Sequence, residues 1–189
     1  MKEKAVIFDL DGTLLNTLQD LADSMNRVLE IRKLKTHPLE SYRYFVGRGA
    51  ANLVKHALGK VSVEEEVIKQ ILAEFNEEYN KHWDNTTKPY PGIMEMLKSL
   101  KGRDIKKGIL SNKPHNFVLL TVEKYFPEID FNPVFGVRQG YPVKPDPSQA
   151  LEIASIWGLP PEEILYLGDS DVDMETAKRA GMIPLGVSW

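Results

Sequence analysis

Asp9-Leu10-Asp11-Gly12-Thr13 sets two carboxylates two residues apart, beside a glycine and a hydroxyl, directly after the apolar run Ala5–Phe8. Three more polar clusters follow apolar runs further along: Ser111-Asn112-Lys113, Pro142-Val143-Lys144-Pro145-Asp146, and Gly168-Asp169-Ser170-Asp171-Val172-Asp173. Any one of these acids could be a turn or cap residue. As a set they mean more, because carboxylates brought together repel unless a cation holds them. None of the four clusters contains Cys or His. The donors are therefore all oxygen, which suits Mg²⁺ and leaves positions for water and a substrate phosphate. Ser111 can donate to phosphate oxygens, and Lys144 can neutralise developing charge. Gly12 lets the backbone approach an anion closely. A carboxylate in such a site can activate water or attack phosphorus itself. If strand geometry persists past Phe8, Asp9 and Asp11 point the same way, and one could attack while the other moves protons.

The elements that must deliver these residues alternate. Ala5–Phe8, Lys107–Leu110, Val134–Val137, Ile164–Leu167 and Ile183–Val187 read as short buried strands. Between the later ones lie helical patterns over Gly92–Leu100, Asp146–Trp157 and Asp171–Ala180. Asp146 is the expected N-cap of its helix, with Pro147 at the first helical position; Gly158 and Gly181 are the expected stops. The expected fold class is α/β, a three-layer parallel sheet in which functional groups gather beyond the C-terminal strand ends.

One long gap breaks the rhythm. Leu18, Leu21, Ala22, Met25 and Leu29 form one helical stripe, and Val63, Val67, Ile71, Leu72, Phe75 and Tyr79 form another. Pro38–Phe45 and Ala50–Leu58 read as shorter helices. A helical domain of residues 15–88 is thus expected inside a core made of 1–14 and 89–189, joined near Leu14–Asn16 and Asn85–Pro91. Glu64-Glu65-Glu66 reads as a solvated helix face.

Composition narrows the classes. The 189 residues carry 24 basic and 27 acidic side chains, a net charge of −3, which gives no support to nucleic-acid binding through a basic face. There is no cysteine, so disulfides, thiolate nucleophiles and Cys-ligated zinc are excluded. Apolar runs fall far short of the roughly 18 residues of a membrane span. The start, Met1-Lys2-Glu3-Lys4, has no signal-peptide layout, so the expected location is cytoplasmic.

The motif Asp9-x-Asp11-Gly12-Thr13 after an apolar strand resembles the first signature of the haloacid dehalogenase superfamily. Ser111, Lys144 and the Gly168-Asp169-x-x-x-Asp173 pattern resemble its other signatures, in the right order. The resemblance implies the superfamily's Rossmann-like core with a helical cap, and Mg²⁺-dependent hydrolysis of a small phosphorylated metabolite. It implies Asp9 as nucleophile forming an aspartyl-phosphate, and Asp11 as general acid and base with its main-chain carbonyl on Mg²⁺. Asp169 would be a further ligand, with Asp173 a ligand or support. Gly12, Ser111, Asn112 and Lys144 would hold the phosphoryl group. Asp11 argues against the dehalogenase branch, whose similar pattern lacks the second Asp.

Tyr44-Phe45-Val46-Gly47-Arg48-Gly49-Ala50 resembles the cap of phosphoglycolate phosphatases and their pyrophosphatase relatives, with Gly47 and Arg48 facing substrate. Lys113 and His115 read as surface residues at a helix start. His37, His56 and His82 read as structural or exposed. The competing readings are a phosphosugar mutase or a pyrophosphatase of the same superfamily, a receiver domain, and an inactive binding module. A monomer or homodimer is expected, with neither nucleic acid nor membrane as partner. Family members of this kind continue for another helix and strand past Ile183, which implies an open sheet edge and apolar helix-docking face here.

Overall fold

The computed structural model describes residues 4–59 and 64–189. Val63 of the second predicted stripe lies outside the described residues. The chain divides into two compact units, Met1–Leu15 with Pro89–Trp189, and Asn16–Lys88.

The first unit is built on a five-stranded parallel sheet ordered β5-β4-β1-β6-β7. Its strands are β1 (Ala5–Phe8), β4 (Lys106–Pro114), β5 (Val134–Val137), β6 (Ile164–Gly168) and β7 (Ile183–Gly186). Central β1 shows why the fold forms. All four of its residues are buried, and side-chain period two sends them to opposite faces. Val6 and Phe8 join a core with Ile93, Leu97, Val118 and Phe126, from α5 (Ile93–Lys101) and α6 (His115–Tyr125) and its end. Ala5 and Ile7 join the opposite core with Ala150, Ile153, Trp157 and Ala177, from α7 (Ser148–Trp157) and α8 (Asp171–Ala180). A parallel sheet covered on both faces is the three-layer α/β architecture.

Several details differ from the sequence reading. Strand β4 does not end at Leu110 but runs through Ser111-Asn112-Lys113, with its register to β5 slipping between Leu110 and Pro114. An irregularity there turns the strand end into a platform for side chains. Helix α7 begins at Ser148, although Asp146 Oδ1 still accepts the Ser148 N–H at 2.9 Å, the capping bond expected of it. Strand β7 is exposed along its length, with Ile183 and Leu185 open, because it is the sheet's edge rather than a buried strand.

The second unit is helical: α1 (Leu18–Ile31), α2 (Leu39–Phe45), α3 (Ala50–Leu58) and α4 (Glu65–His82). Leu21, Ala22, Met25, Val28 and Leu29 of α1 are buried, as are Ile71, Phe75 and Tyr79 of α4. Asp20 on α1 is buried too and accepts the N–H and O–H groups of both Thr86 and Thr87, at 2.7 to 3.1 Å. Four donors satisfy a carboxylate that burial alone would penalise. Where the chain crosses between units, β2 (Leu15–Asn16) and β3 (Lys88–Pro89) pair.

Candidate active site

Strand β1 ends at Phe8, and the Asp9 N–H bonds to Leu167 O of β6 at 2.9 Å. The chain then leaves the sheet. The N–H groups of Leu14 and Leu15 both reach Leu10 O at 3.0 Å, and Gly12 N–H reaches Leu15 O at 2.9 Å. Strand geometry therefore does not persist through Asp11, and the condition under which Asp9 and Asp11 would point the same way is not met. Asp9 and Asp11 instead meet different cations. Lys144 Nζ lies 2.9 Å from Asp9 Oδ1, and Lys113 Nζ lies 3.1 and 3.2 Å from the two oxygens of Asp11.

Lys113 is the main residue that sequence reading missed. Far from being a surface residue, its side chain is 3% exposed, in the extension of β4. Its N–H donates to Ser111 Oγ at 3.3 Å, which orients that hydroxyl and leaves the hydroxyl proton to donate elsewhere. His115 is also structural: Nδ1 accepts the Gly136 N–H at 3.2 Å.

Lys144 is held from several sides. Its Nζ is 2.6 Å from Asp173 Oδ1 as well as 2.9 Å from Asp9. Its main chain makes a two-way bond with the Asn112 amide: Lys144 N–H to Oδ1 at 2.9 Å, Nδ2 to Lys144 O at 3.1 Å. The Asn112 side chain, expected on the phosphoryl group, thus also places Lys144. Arg138 stiffens the approach to Lys144. Its guanidinium lies over Phe135 and Tyr141, at 3.6 and 4.0 Å, and bonds Gln149 at 3.0 Å and Glu152 at 3.1 Å. Gln149 in turn holds Pro142 O at 3.0 Å.

Asp9, Asp169 and Asp173 offer ligand oxygens all within 4.8 Å of one another. This is a donor set suited to a hard cation, and the buried acids show why one is wanted. Burial, with Asp173 and Asp169 adding to it against Lys144, pushes the Asp9 carboxyl up to about 7. Desolvation likewise raises Asp169, the most accessible of the three, against a bond from Thr13 Oγ1 at 2.8 Å. Lys144 sits well above its ordinary value: burial is the largest single influence and lowers it, but the charges of Asp173 and Asp9, with the bond to Asp173, together outweigh it. Asp173 is the least available ligand, because Oδ1 meets Lys144 and Oδ2 accepts the Ser170 N–H in the capping box of α8. The Asp11 carboxylate stands outside this trio, and Asp171 is exposed with its Oδ1 on the Val172 N–H.

Gly12 is required by the packing of its own turn. Its φ is +84°, and a Cβ there would fall 2.4 Å from Asp169 Oδ2. Gly140 has a similar φ of +82° with open space around it. Gly12→Ala and Gly140→Ala should each lose about 1 kcal/mol or more to backbone strain. Gly12→Ala alone should also displace Asp169 and weaken Mg²⁺ binding by titration calorimetry. Equal Mg²⁺ affinity in the two variants would contradict this placement.

Gly47 and Arg48 belong to the helical unit, in the turn between α2 and α3; Gly47 and Gly49 have φ of 106° and 85°. The Arg48 carbonyl accepts the Asn52 amide at 2.7 Å. The histidines of the helical unit are tied to neighbours: His37 Nε2 donates to Ala57 O at 2.7 Å, and His56 Nδ1 bonds Tyr44 O at 3.3 Å. His82 Nε2 lies 3.0 Å from Arg27 Nη1 and 3.2 Å from Glu78 Oε1.

Residues 6–187 match the model of the haloacid dehalogenase-like hydrolase family, and the chain belongs to that family. It is 32% identical to a phosphoglycolate phosphatase of Psychrobacter arcticus, over 100% of this chain and 85% of that protein. It is 33% identical to a phosphoglycolate phosphatase of Haemophilus influenzae, over 98% of this chain and 86% of that one. Among solved structures, a Lactobacillus delbrueckii protein provisionally assigned as a phosphoglycolate phosphatase superposes with a TM-score of 0.93. It shares 31% identity, over 100% of this chain and 87% of that chain.

Proposed function

We propose that the chain is a Mg²⁺-dependent phosphatase that hydrolyses a small phosphorylated metabolite through a phosphoryl group carried on Asp9, with phosphoglycolate the leading candidate substrate. The observation that carries the reading is the Asp9–Lys144 pair, 2.9 Å apart inside a cluster of acids able to hold a cation. The naming of the relatives as phosphoglycolate phosphatases supports the choice of substrate.

Asp9 attacks phosphorus as the bond to the leaving oxygen breaks, and Asp11 delivers the proton that oxygen needs. Asp11 then takes a proton from water, whose oxygen attacks phosphorus and releases Asp9 and inorganic phosphate. Ser111 donates to a phosphoryl oxygen, and Lys144 answers the charge that develops there. Asp9, Asp169 and the main-chain carbonyl of Asp11 would hold Mg²⁺, with Asp173 in support. When bound, the ion supplies charge neutralisation among acids and phosphoryl oxygens. The choice of substrate is assigned to Gly47 and Arg48 of the helical unit, a guanidinium suiting a carboxylate or a second phosphate. No described helix is long and apolar enough to cross a membrane.

The test is phosphate release from phosphoglycolate, pyrophosphate, hexose phosphates and p-nitrophenyl phosphate, with Mg²⁺ and with EDTA. Release from a monoester with Mg²⁺, abolished by EDTA, is expected, with phosphoglycolate fastest. Isomerisation of a hexose phosphate without phosphate release would identify a mutase instead. Absence of release from every monoester would overturn the proposal.

A further inference from the structure

We infer that Trp189 is a positioning residue for the turn that carries Asp11, clamping Gly12 to the point where the chain re-enters the first unit. The indole N–H donates to Gly12 O at 2.8 Å, although the two residues are 177 apart in sequence. The indole also stacks on the Tyr90 ring, with centroids 4.7 Å apart and planes inclined by 18°. Tyr90 is itself fixed, its N–H reaching Leu14 O at 3.2 Å and its ring packing on the core that contains Leu14.

Trp189 is delivered to this place by the sheet. Strand β7 pairs with β6, and Val187 N–H then bonds Gly168 O at 3.0 Å, one residue before Asp169. The chain beyond β7 therefore passes the acid cluster before the indole turns to Gly12. The carbonyl it grips belongs to the Gly12–Thr13 peptide. On one side of that peptide is Asp11; on the other, Thr13 holds Asp169 at 2.8 Å. Gly12 itself lies hard against the Asp169 carboxylate. A rotation of this one peptide would shift the proton-moving acid and an acid of the metal cluster together. The indole N–H opposes that rotation, and the stack on Tyr90 holds the indole.

At 50% exposure Trp189 adds little to the core, so its replacement should leave the fold intact. The activity side of this inference rests on the proposed phosphatase reaction; the structural side does not. Two full-chain variants separate the indole's two contacts. Trp189→Phe keeps a ring for Tyr90 and loses the N–H, whereas Trp189→Ala loses both. Hydrogen exchange should rise about five- to tenfold at the Thr13, Leu14 and Leu15 amides in both variants, the factor one net hydrogen bond supports. Exchange at Tyr90 should rise only in Trp189→Ala, and β1 should stay protected in each. With p-nitrophenyl phosphate, kcat should fall by about the same factor and KM should change less than twofold. Unchanged exchange at Thr13–Leu15 in both variants would overturn the inference, as would a raised KM at unchanged kcat. If the unaltered chain releases no phosphate, the phosphatase reading fails while the exchange comparison still decides the role of Trp189.

Discussion

Asp9→Asn should lower kcat by roughly four orders of magnitude or more, the scale seen when a covalent nucleophile is removed. The substitution preserves shape and removes one charge and the attacking oxygen's electron density. Little else should change. Lys144 retains Asp173 at 2.6 Å, and the N–H to Leu167 O bond belongs to the backbone. Burial raises the Asp9 carboxyl to about 7, so the amide also relieves a penalty on the charged form. The variant is therefore expected to melt no lower than the parent chain at pH 8. A dead variant that is equally or more stable separates loss of chemistry from loss of fold. Turnover within tenfold of the parent would mean that another group attacks phosphorus.

Lys144→Met should cost both activity and stability. The side chain is 3% exposed and is the cation between two buried acids. Removing one partner of a buried ion pair costs about 3–5 kcal/mol. At this chain length that corresponds to a fall in Tm of roughly 6–20 °C. The loss should depend on pH, with a definite sign. Lys144 lowers the Asp9 pKa, so its removal raises that pKa further above the ordinary 3.8. The folded variant then holds a proton that the unfolded chain releases above the ordinary value. Stability accordingly falls as pH rises from about 4 toward and past 7. Melting at pH 6 and pH 8 should show the larger deficit at pH 8. A deficit that shrinks with pH would mean the two acids are not the partners Lys144 serves.

Residues whose partners are near in sequence, or whose role is set by strand period, were readable without coordinates. Ala5–Phe8 could be placed because a doubly covered parallel strand is apolar throughout, and Gly181 because it ends α8 at φ +72°. The groups missed all depend on partners far along the chain. Lys113 follows Ser and Asn, poor strand formers, and only pairing within the sheet extends β4 to it; its partner Asp11 is 102 residues away. Asn112 finds its acceptor and donor 32 residues on, at Lys144. Asp20 looks like one more acid on a helix until Thr86 and Thr87 are brought to it. The expected gathering of acids around one lysine is, in space, three acids with Lys144 and a separate Asp11–Lys113 pair. Spacing within a motif does not reveal which cation each acid faces, because the cations arrive on other strands.

The central claim is that phosphorus is carried on Asp9. It is tested most directly by acid-quenching the enzyme during turnover of phosphoglycolate or p-nitrophenyl phosphate with Mg²⁺, then reducing it with borohydride. An acyl phosphate is reduced to the alcohol, so the peptide containing Asp9 should be recovered with homoserine at that position. The conversion should require substrate and be absent in Asp9→Asn. Full turnover with Asp9 recovered intact, or reduction at a different carboxylate, would contradict the account.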